Sequence, residues 1–323
     1  MKIFSNIVMA IAIYFSAAQA HGGVASTDSN VRPMRIVTPA AAGGTSDILA
    51  RIMAPTLSHM LSMPIVIENR PGGGVIAPEI VSRAAPDGHT IFFTYQQHNT
   101  LAAGSRRLPY HPIDSFTPIA QLCESPNILV INPARPIYSL RQFASWTKNS
   151  GQNLNFGSAG VGSGAHLAGE LLNLLHGIQA QHVAYRGALP VLTDVIANQL
   201  DYYFGGAMVI KPLADSGKLR ALATTGSERL ATWPELPLMR EVIPGYELLV
   251  WYGVLAPANL PQPTLSRLYQ AISTTIQTVE INDRITQMGC QVKLKNPQEF
   301  RYYIQQDLKK LQNLVQRTNM KLD

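Results

Sequence analysis

Residues Leu154 to Gly169, which read LNFGSAGVGSGAHLAG, decide the fold of this chain. A strand-like apolar run stops at Gly157, a turn of glycine, serine and alanine follows, and a helical apolar stripe begins at His166. A strand that passes through such a turn into a helix presents unpaired backbone N–H groups to an anion. Ser158 and Ser163 are candidates both for capping the helix and for donating to a ligand.

Two interpretations of this turn stay open on its own residues. It is either an anion site or a tight strand-to-helix turn whose serine is only an N-cap. The turn lacks the lysine of a phosphate P-loop, the glycine spacing of a dinucleotide fingerprint and the spacing of a hydrolase nucleophile elbow. The rest of the chain has to decide between the two.

The first 20 residues are typical of a secretory signal peptide. Lys2 precedes an apolar run from Ile7 to Ala18, and Ala18-Gln19-Ala20 has the form of a cleavage site. The run is shorter than a comfortable membrane span. We predict export and cleavage after Ala20, which would leave 303 of the 323 residues. An uncleaved anchor is the alternative.

Composition narrows the choice of partners. The formal net charge of +6 is mild for a chain of 323 residues, and no block of basic residues marks a nucleic-acid partner. No later stretch is long and apolar enough to cross a bilayer. The two cysteines, Cys123 and Cys290, are far apart in sequence and do not form a disulfide framework. A single bridge and two buried free thiols are both open.

Strand-like and helix-like segments alternate along the chain. A β-α-β-α-β pattern runs from Met34 to Tyr95, and a second alternating region runs from Leu154 to Thr224. This pattern predicts two α/β units, each with a parallel sheet. Pro55 is expected to kink or end the first helix. Between Ile119 and Ile131, Ser125-Pro126-Asn127 separates two strand-like runs.

Three predicted helices begin in very small residues directly after a strand. Their starts are Gly43 to Asp47, Ser158 to Gly164 and Gly187 to Pro190. In open parallel sheets such turns lie at the carboxyl ends of strands, where ligands bind. Three helix N-termini that converge on a cleft would hold a carboxylate without an arginine. Gln97 follows another strand end and is either a cleft residue or part of a polar loop.

Catalytic and metal-binding alternatives have weaker support. Ser163, His166 and Asp194 allow a triad to be drawn, but no elbow motif presents the serine as a nucleophile. The histidines lack metal-ligand spacing, and neither cysteine is near the other in sequence. We therefore predict no metal, no cofactor and no enzymatic activity, with an α/β hydrolase as the enzymatic alternative.

The chain resembles the Bug-type solute receptors of tripartite tricarboxylate transporters from about Arg35 to Asp323. The resemblance rests on short segments that are specific in their order and spacing. They are Gly43-Gly44-x-x-Asp47-x-x-Ala50-Arg51, Glu68-Asn69-Arg70-Pro71-Gly72, Ala84-Ala85-Pro86-Asp87-Gly88, LNFGSAGVGSGAHLAGE, Tyr185-Arg186-Gly187 with Leu192-Thr193-Asp194, Gly217-Lys218-Leu219-Arg220-Ala221-Leu222-Ala223, and Pro244-Gly245-Tyr246.

The resemblance implies a type II periplasmic binding protein fold, in which two α/β domains bridged by crossing strands close over a ligand. The domains would comprise residues 28–122 with 253–323, and residues 123–252. The implied function is that of a monomeric periplasmic receptor. It would bind a di- or tricarboxylate, an acidic amino acid or an aromatic acid and deliver it to the membrane subunits of the transporter. A sensor that reports ligand to a signalling partner is the alternative.

The resemblance also implies which turns bind the ligand. With Gln97 added from its place after a strand end, the expected set is Pro39, Ala41, Gly43, Gly44, Thr45, Asp47, Gln97, Ser158, Ala159, Gly160, Ser163, Tyr185, Gly187 and Ala188. The chain departs from the family pattern at Ala40-Ala41-Ala42, where an aromatic residue and a proline are frequent. It departs again at Ala184-Tyr185-Arg186-Gly187, where Pro-Tyr-Lys-Gly is usual. The identity of the bound acid therefore does not follow from the resemblance.

Overall fold

The computed structural model describes residues 32–72, 74–104, 108–150 and 154–322, and the predicted signal peptide lies outside them. The strands are β1 Met34–Thr38, β2 Ile65–Asn69, β3 Thr90–Tyr95, β4 Phe116–Ile131, β5 Asn155–Ser158, β6 Gln181–Ala184, β7 Tyr202–Gly206, β8 Arg220–Thr224, β9 Leu249–Pro257 and β10 Gln291–Lys295. The α-helices are α1 Thr45–Leu61, α2 Ile76–Ser82, α3 Gln97–Gly104, α4 Leu140–Asn149, α5 Gly164–His176, α6 Ala188–Ile196, α7 Ala207–Asp215, α8 Gln262–Gln277, α9 Val279–Gln287 and α10 Pro297–Thr318. Within the described ranges, no helix has the length and apolar character needed to span a membrane.

The strands form two groups, each with a parallel core. In the group that we call the β1 half (β1–β3 and β10), β1 pairs in parallel with β2 and β3. In the β5 half (β5–β8), β5 pairs in parallel with β6 and β7. These pairings are the α/β units that the alternating sequence pattern predicts.

Two long strands, β4 and β9, connect the halves and make the sheet mixed. β4 runs antiparallel to β9 and β10 over its first part, and antiparallel to β7 and β8 over its last part. β9 also runs antiparallel to β3. The sheet is therefore parallel within each half and mixed at the centre, where β9 runs opposite to its neighbours β3 and β4.

Pro126 lies where β4 changes neighbours. The ladder with β9 ends at the pair Pro126–Leu249, and the ladder with β7 begins at Asn127–Gly206. The sequence suggests two runs separated at this proline, but the structure has one strand of 16 residues. A proline has no N–H to give to a ladder, so it is tolerated at a point where the partner strand changes.

Helix α1 continues through Pro55 to Leu61, so the early end that the sequence allowed does not occur. Pro55 is on the exposed side of the helix. The opposite face buries Leu49, Met53 and Leu57 completely in the core. Burial of this stripe offsets the one backbone hydrogen bond that the proline removes.

The core of the β1 half contains both cysteines and is tied to the end of the chain. Cys123 and Cys290 are buried free thiols. Trp251 of β9 is fully buried, and its Nε1–H donates to Asp307 of α10 over 2.8 Å. Asn99 of α3 donates to the same carboxylate, also over 2.8 Å. The last helix is thus fixed to a strand that crosses between the halves.

Replacing Gly253 with alanine should destabilise the fold, because β9 has no room for a side chain there. A Cβ atom at this position would lie 2.4 Å from the Phe300 ring and 2.9 Å from the carbonyl oxygen of Ala120. We expect a loss of about 1–3 kcal/mol in the free energy of unfolding, measured by urea denaturation. Phe300→Leu is the control background, because it removes the ring atoms that the new Cβ would meet, so Gly253→Ala should cost less stability there. An equal loss in the two backgrounds would contradict the steric explanation.

Candidate functional site

Helix starts from the two halves of the sheet face each other. A Cβ atom built on Gly187 would lie 3.4 Å from the Cβ of Ala41, and one built on Gly206 would lie 3.3 Å from Oγ1 of Thr45. The turn before α1 therefore meets the turns before α6 and α7. The sequence predicts the first two turns but not the third, because Gly205-Gly206 resembles the end of a strand and gives no sign of the helix that follows.

Gln97 joins the halves by a direct hydrogen bond. Its Nε2 donates to the carbonyl oxygen of Val161 over 2.7 Å, and its Oε1 accepts from the Tyr95 hydroxyl over 2.6 Å. The side chain is buried and stands at the start of α3, so the interpretation as a polar loop is wrong. Gly160 is also close, since its Cβ would lie 3.8 Å from Nε2 of Gln97.

The turn before α1 is held by Asp47. This carboxylate accepts from the backbone N–H of Gly43 over 2.8 Å, from Nε of Arg51 over 2.9 Å and from Nδ2 of Asn69 over 2.9 Å. Burial alone would raise the pKa of Asp47, but the hydrogen bonds from Arg51, Gly43 and Asn69 outweigh it and lower the pKa. Asp47 therefore shapes the turn, and its negative charge is balanced within its own half.

The serine hydroxyls of the turn before α5 are used within the turn. Ser158 is fully buried, and its Oγ lies 3.0 Å from the Gly160 carbonyl, 3.2 Å from the Gly160 nitrogen and 2.6 Å from Nε2 of His182. Ser163 is the N-cap of α5 and accepts from the backbone N–H of His166. Both serines thus give the turn its shape.

Backbone N–H groups at these turns are left for an anion. The N-caps of helices α1, α6 and α7 are Gly44, Gly187 and Gly206, and none of them supplies a side-chain hydrogen bond. The first N–H groups of a helix have no partner inside it. Around the turns before α1, α5 and α6, the N–H groups without an acceptor among the described residues include those of Thr45, Ser46, Asp47, Ala159, Val161, Gly164, Ala165, Arg186 and Ala188.

Several of these donors are absent from the predicted set. The prediction gave Ser158 and Ser163 as hydroxyl donors and did not include Val161, Gly164 or Ala165. The rule that the first turn of a helix leaves its N–H groups unpaired could have found the last two. Whether the N–H of Val161 stays free depends on which neighbouring N–H groups the side chains of the turn accept. Sequence spacing does not show this.

Tyr185 fixes the turn before α6. Its hydroxyl donates to Asp194 of α6 over 2.5 Å, while its backbone N–H donates to the Ser158 carbonyl. Burial and the Asp194 carboxylate raise the pKa of Tyr185 to about 12. The N–H of Gly187 donates to the carbonyl of Ala159, so the two turns of the β5 half are joined to each other.

The structure does not assemble the triad of Ser163, His166 and Asp194. The Asp194 carboxylate accepts from Tyr185, and Nδ1 of His166 accepts the backbone N–H of Gly162 over 3.0 Å. A serine–histidine contact does exist between Ser158 and His182, but the serine is fully buried. A nucleophile must be reachable by its substrate, so this pair does not make the turn a hydrolase site.

A metal-ligand cluster or a surface groove would be the alternative to this site elsewhere in the described chain. Within it, no three metal-ligating side chains are grouped for an ion. A surface groove of about 440 Å³ is lined partly by Arg135, Arg141 and Trp146 and shares no residue with the turns described above. Its Arg135 already pairs with Asp201 over 2.8 Å.

The α/β sheet has two parts that are joined by crossing strands, and helix N-termini face each other between these parts. This arrangement defines a binding protein of the periplasmic type. The family model described as "Tripartite tricarboxylate transporter family receptor" matches residues 49–320. The chain belongs to this family of solute receptors, as the resemblance in its sequence motifs predicts.

Solved structures support the fold over most of the chain. The periplasmic binding protein BugD is 28% identical, with a TM-score of 0.85 over 90% of this chain and 98% of BugD. MatC from Rhodopseudomonas palustris with bound malate is 32% identical, with a TM-score of 0.83 over 88% of this chain and 99% of MatC. Rpa4515 of R. palustris with adipate is 26% identical, with a TM-score of 0.86 over 91% and 99%. The chain therefore has the periplasmic binding protein fold that its motifs imply.

Proposed function

We propose that this protein is a non-enzymatic periplasmic receptor that binds a small dicarboxylate between its two halves and delivers it to the membrane subunits of a tripartite transporter. The observation that carries the proposal is the convergence of uncapped helix N-termini from both halves. These termini supply N–H donors and the positive ends of helix dipoles, which favour a carboxylate. MatC is described with malate and Rpa4515 with adipate, and both ligands are dicarboxylates.

Each half would bind one side of the same ligand. The β1 half offers the N–H groups at the start of α1, and the β5 half offers those around Ala159 and Ala188. The domain boundaries expected from the sequence, at residues 122–123 and 252–253, would fall within β4 and β9, the strands that cross. We infer that closure about these strands brings the donors together, and that the protein acts as a monomer after export.

A titration of the exported protein tests this function. We expect heat of binding and a rise in thermal midpoint with at least one of L-malate, adipate, citrate and L-glutamate. Adipamide is the matched control for adipate because it keeps the chain length and removes the charges. The protein should be unfolded, dialysed and refolded first, and the released small molecules identified by mass spectrometry.

Two results would contradict the proposal. The first is a protein that binds none of these acids and releases none on unfolding. The second is equal affinity for adipate and adipamide, since the helix termini should prefer the anion. A ligand that is turned over rather than returned unchanged would support an enzymatic function instead.

A further inference from the structure

A pair of stacked histidines lies against the turn before α5. The ring centroids of His166 on α5 and His182 on β6 are 3.7 Å apart, and the ring planes differ by only 11°. Phe156 of β5 stacks on His182 at 5.1 Å. The pair is outside the predicted binding set.

His166 accepts a hydrogen bond from a backbone N–H of the turn. The N–H of Gly162 points at its Nδ1 over 3.0 Å. A backbone amide can only donate, so Nδ1 carries no proton and the ring is neutral with its proton on Nε2. Helix α5 starts two residues earlier, at Gly164, and its N-terminus disfavours a positive ring.

His182 acts on the same turn through Ser158. The Ser158 hydroxyl oxygen is within hydrogen-bond distance of the Gly160 carbonyl, the Gly160 N–H and Nε2 of His182. One hydroxyl donates once and accepts twice, so all three bonds form only when Ser158 donates to the carbonyl and His182 donates from Nε2. This assignment makes Nε2 of His182 a hydrogen-bond donor to Ser158, and Ser158 the link to the backbone.

The surroundings keep both rings uncharged. Burial and the neighbouring His182 lower the pKa of His166 to about 3, and burial lowers the pKa of His182 to about 4. Glu170 is the charged group that faces His166 from its own helix, with its Oε1 3.8 Å from Nε2, and burial raises the pKa of Glu170. Tyr202 of β7 is buried near Glu170 and adds no charge at neutral pH.

We propose that His166 and His182 are positioning residues that fix the backbone of the turn before α5 in the shape that leaves the N–H groups of Ala159 and Val161 free for an anion. The two side chains take up the N–H of Gly162 directly and that of Gly160 through Ser158. The intervening donors at Ala159 and Val161 are left without an acceptor among the described residues. The role in binding rests on the proposed function, whereas the shape of the turn does not.

Matched substitutions separate a positioning role from bulk packing. In His166→Asn, the side-chain Oδ1 can take the place of Nδ1 as acceptor for Gly162. In His166→Leu, the bulk is kept and the acceptor is lost. We expect hydrogen exchange at the Gly162 amide to accelerate at least 100-fold in His166→Leu and less than 10-fold in His166→Asn. The amide of Gly44, which donates to the Ala41 carbonyl in the other half, is the internal control.

A binding measurement completes the test. L-malate titrations should show a loss of affinity of at least 10-fold in His166→Leu and recovery in His166→Asn, with the same order for His182→Leu and His182→Gln. Nitrogen NMR of the wild-type protein should show an unprotonated, hydrogen-bonded Nδ1 on His166, and this needs no variant to fold.

The outcomes can be told apart. A protonated Nδ1, or equal Gly162 exchange in the asparagine and leucine variants, would overturn the positioning role. If the wild-type protein does not bind L-malate or any other carboxylate while the exchange and NMR results hold, the proposed function fails and the role of the histidines in shaping the turn stands.

Discussion

Replacing Gly187 with valine should abolish carboxylate binding, with a loss of at least 100-fold, which corresponds to about 2.7 kcal/mol. Gly187 has φ +116° and its Cβ would lie 3.4 Å from the Cβ of Ala41 on the opposite turn. The two further methyl groups of valine would hold the turns apart and prevent donors from both halves from reaching one ligand. Calorimetric titration with L-malate and adipate measures the loss.

Gly177→Val is the matched control for the steric effect of valine at Gly187. Gly177 is in the same half, also has a positive φ, at +68°, and its Cβ would meet nothing within 4 Å. A side chain at positive φ costs about 1–2 kcal/mol, so both variants should lose stability while only Gly187→Val loses binding. Ala41→Leu places the obstruction on the other turn without any positive φ and should reproduce the loss. Normal affinity in both Ala41→Leu and Gly187→Val would contradict the assigned site.

Acidification from pH 7 to pH 5 should lower the free energy of unfolding by several kcal/mol through three buried histidines. Burial lowers the pKa of His98 to about 4, and His166 and His182 are also lowered, to about 3 and about 4. In the unfolded chain each histidine binds a proton near pH 6.5. The unfolded state thus binds more protons between about pH 6.5 and 4, and stability falls as the pH falls through this window. Each pKa unit is worth about 1.4 kcal/mol.

Urea denaturation at half-unit steps between pH 7.5 and 5 measures this slope. His98→Gln should reduce it by about a third, because glutamine can donate to the Pro112 carbonyl as Nε2 of His98 does and does not titrate. Two carboxyl groups, Asp307 and Glu170, have a raised pKa and act in the opposite direction. The stability that they contribute to the protein at low pH is lost as the pH rises. A flat profile above pH 5 would mean that the three histidines are solvated or charged in the native state.

The sequence predicts local structure well where one turn decides it. Small residues directly after a strand correctly mark the starts of α1, α5 and α6, because glycine turns and helix N-termini are local in sequence. Helices α3 and α7 and strand β10 escape detection. Helix α3 begins in polar residues that resemble a loop, and β10 is a short strand whose place depends on pairing with β4, more than 160 residues away.

The candidate site was also predictable only in part, in its glycine turns but not in the roles of its polar side chains. That glycine turns face each other follows from the fold class, and the structure brings Ala41, Thr45, Gln97, Gly160 and Gly187 close together. The roles of individual polar groups did not follow. The Asp47 carboxylate and the Ser158 hydroxyl are both engaged within their own half. Which atoms stay free depends on partners such as Asn69 and His182, which are distant in sequence and bear no motif for this role.

The N–H donors described at the turns belong to the main chain, and Ala40, Ala41 and Ala42 beside them carry only methyl side chains. Amide hydrogens survive almost any amino-acid replacement, whereas an arginine that recognised the anion would be lost by a single change. A receptor of this kind would still bind the acid group when neighbouring side chains change. Related chains can therefore change which ligand they select without first losing the ability to bind its carboxylate.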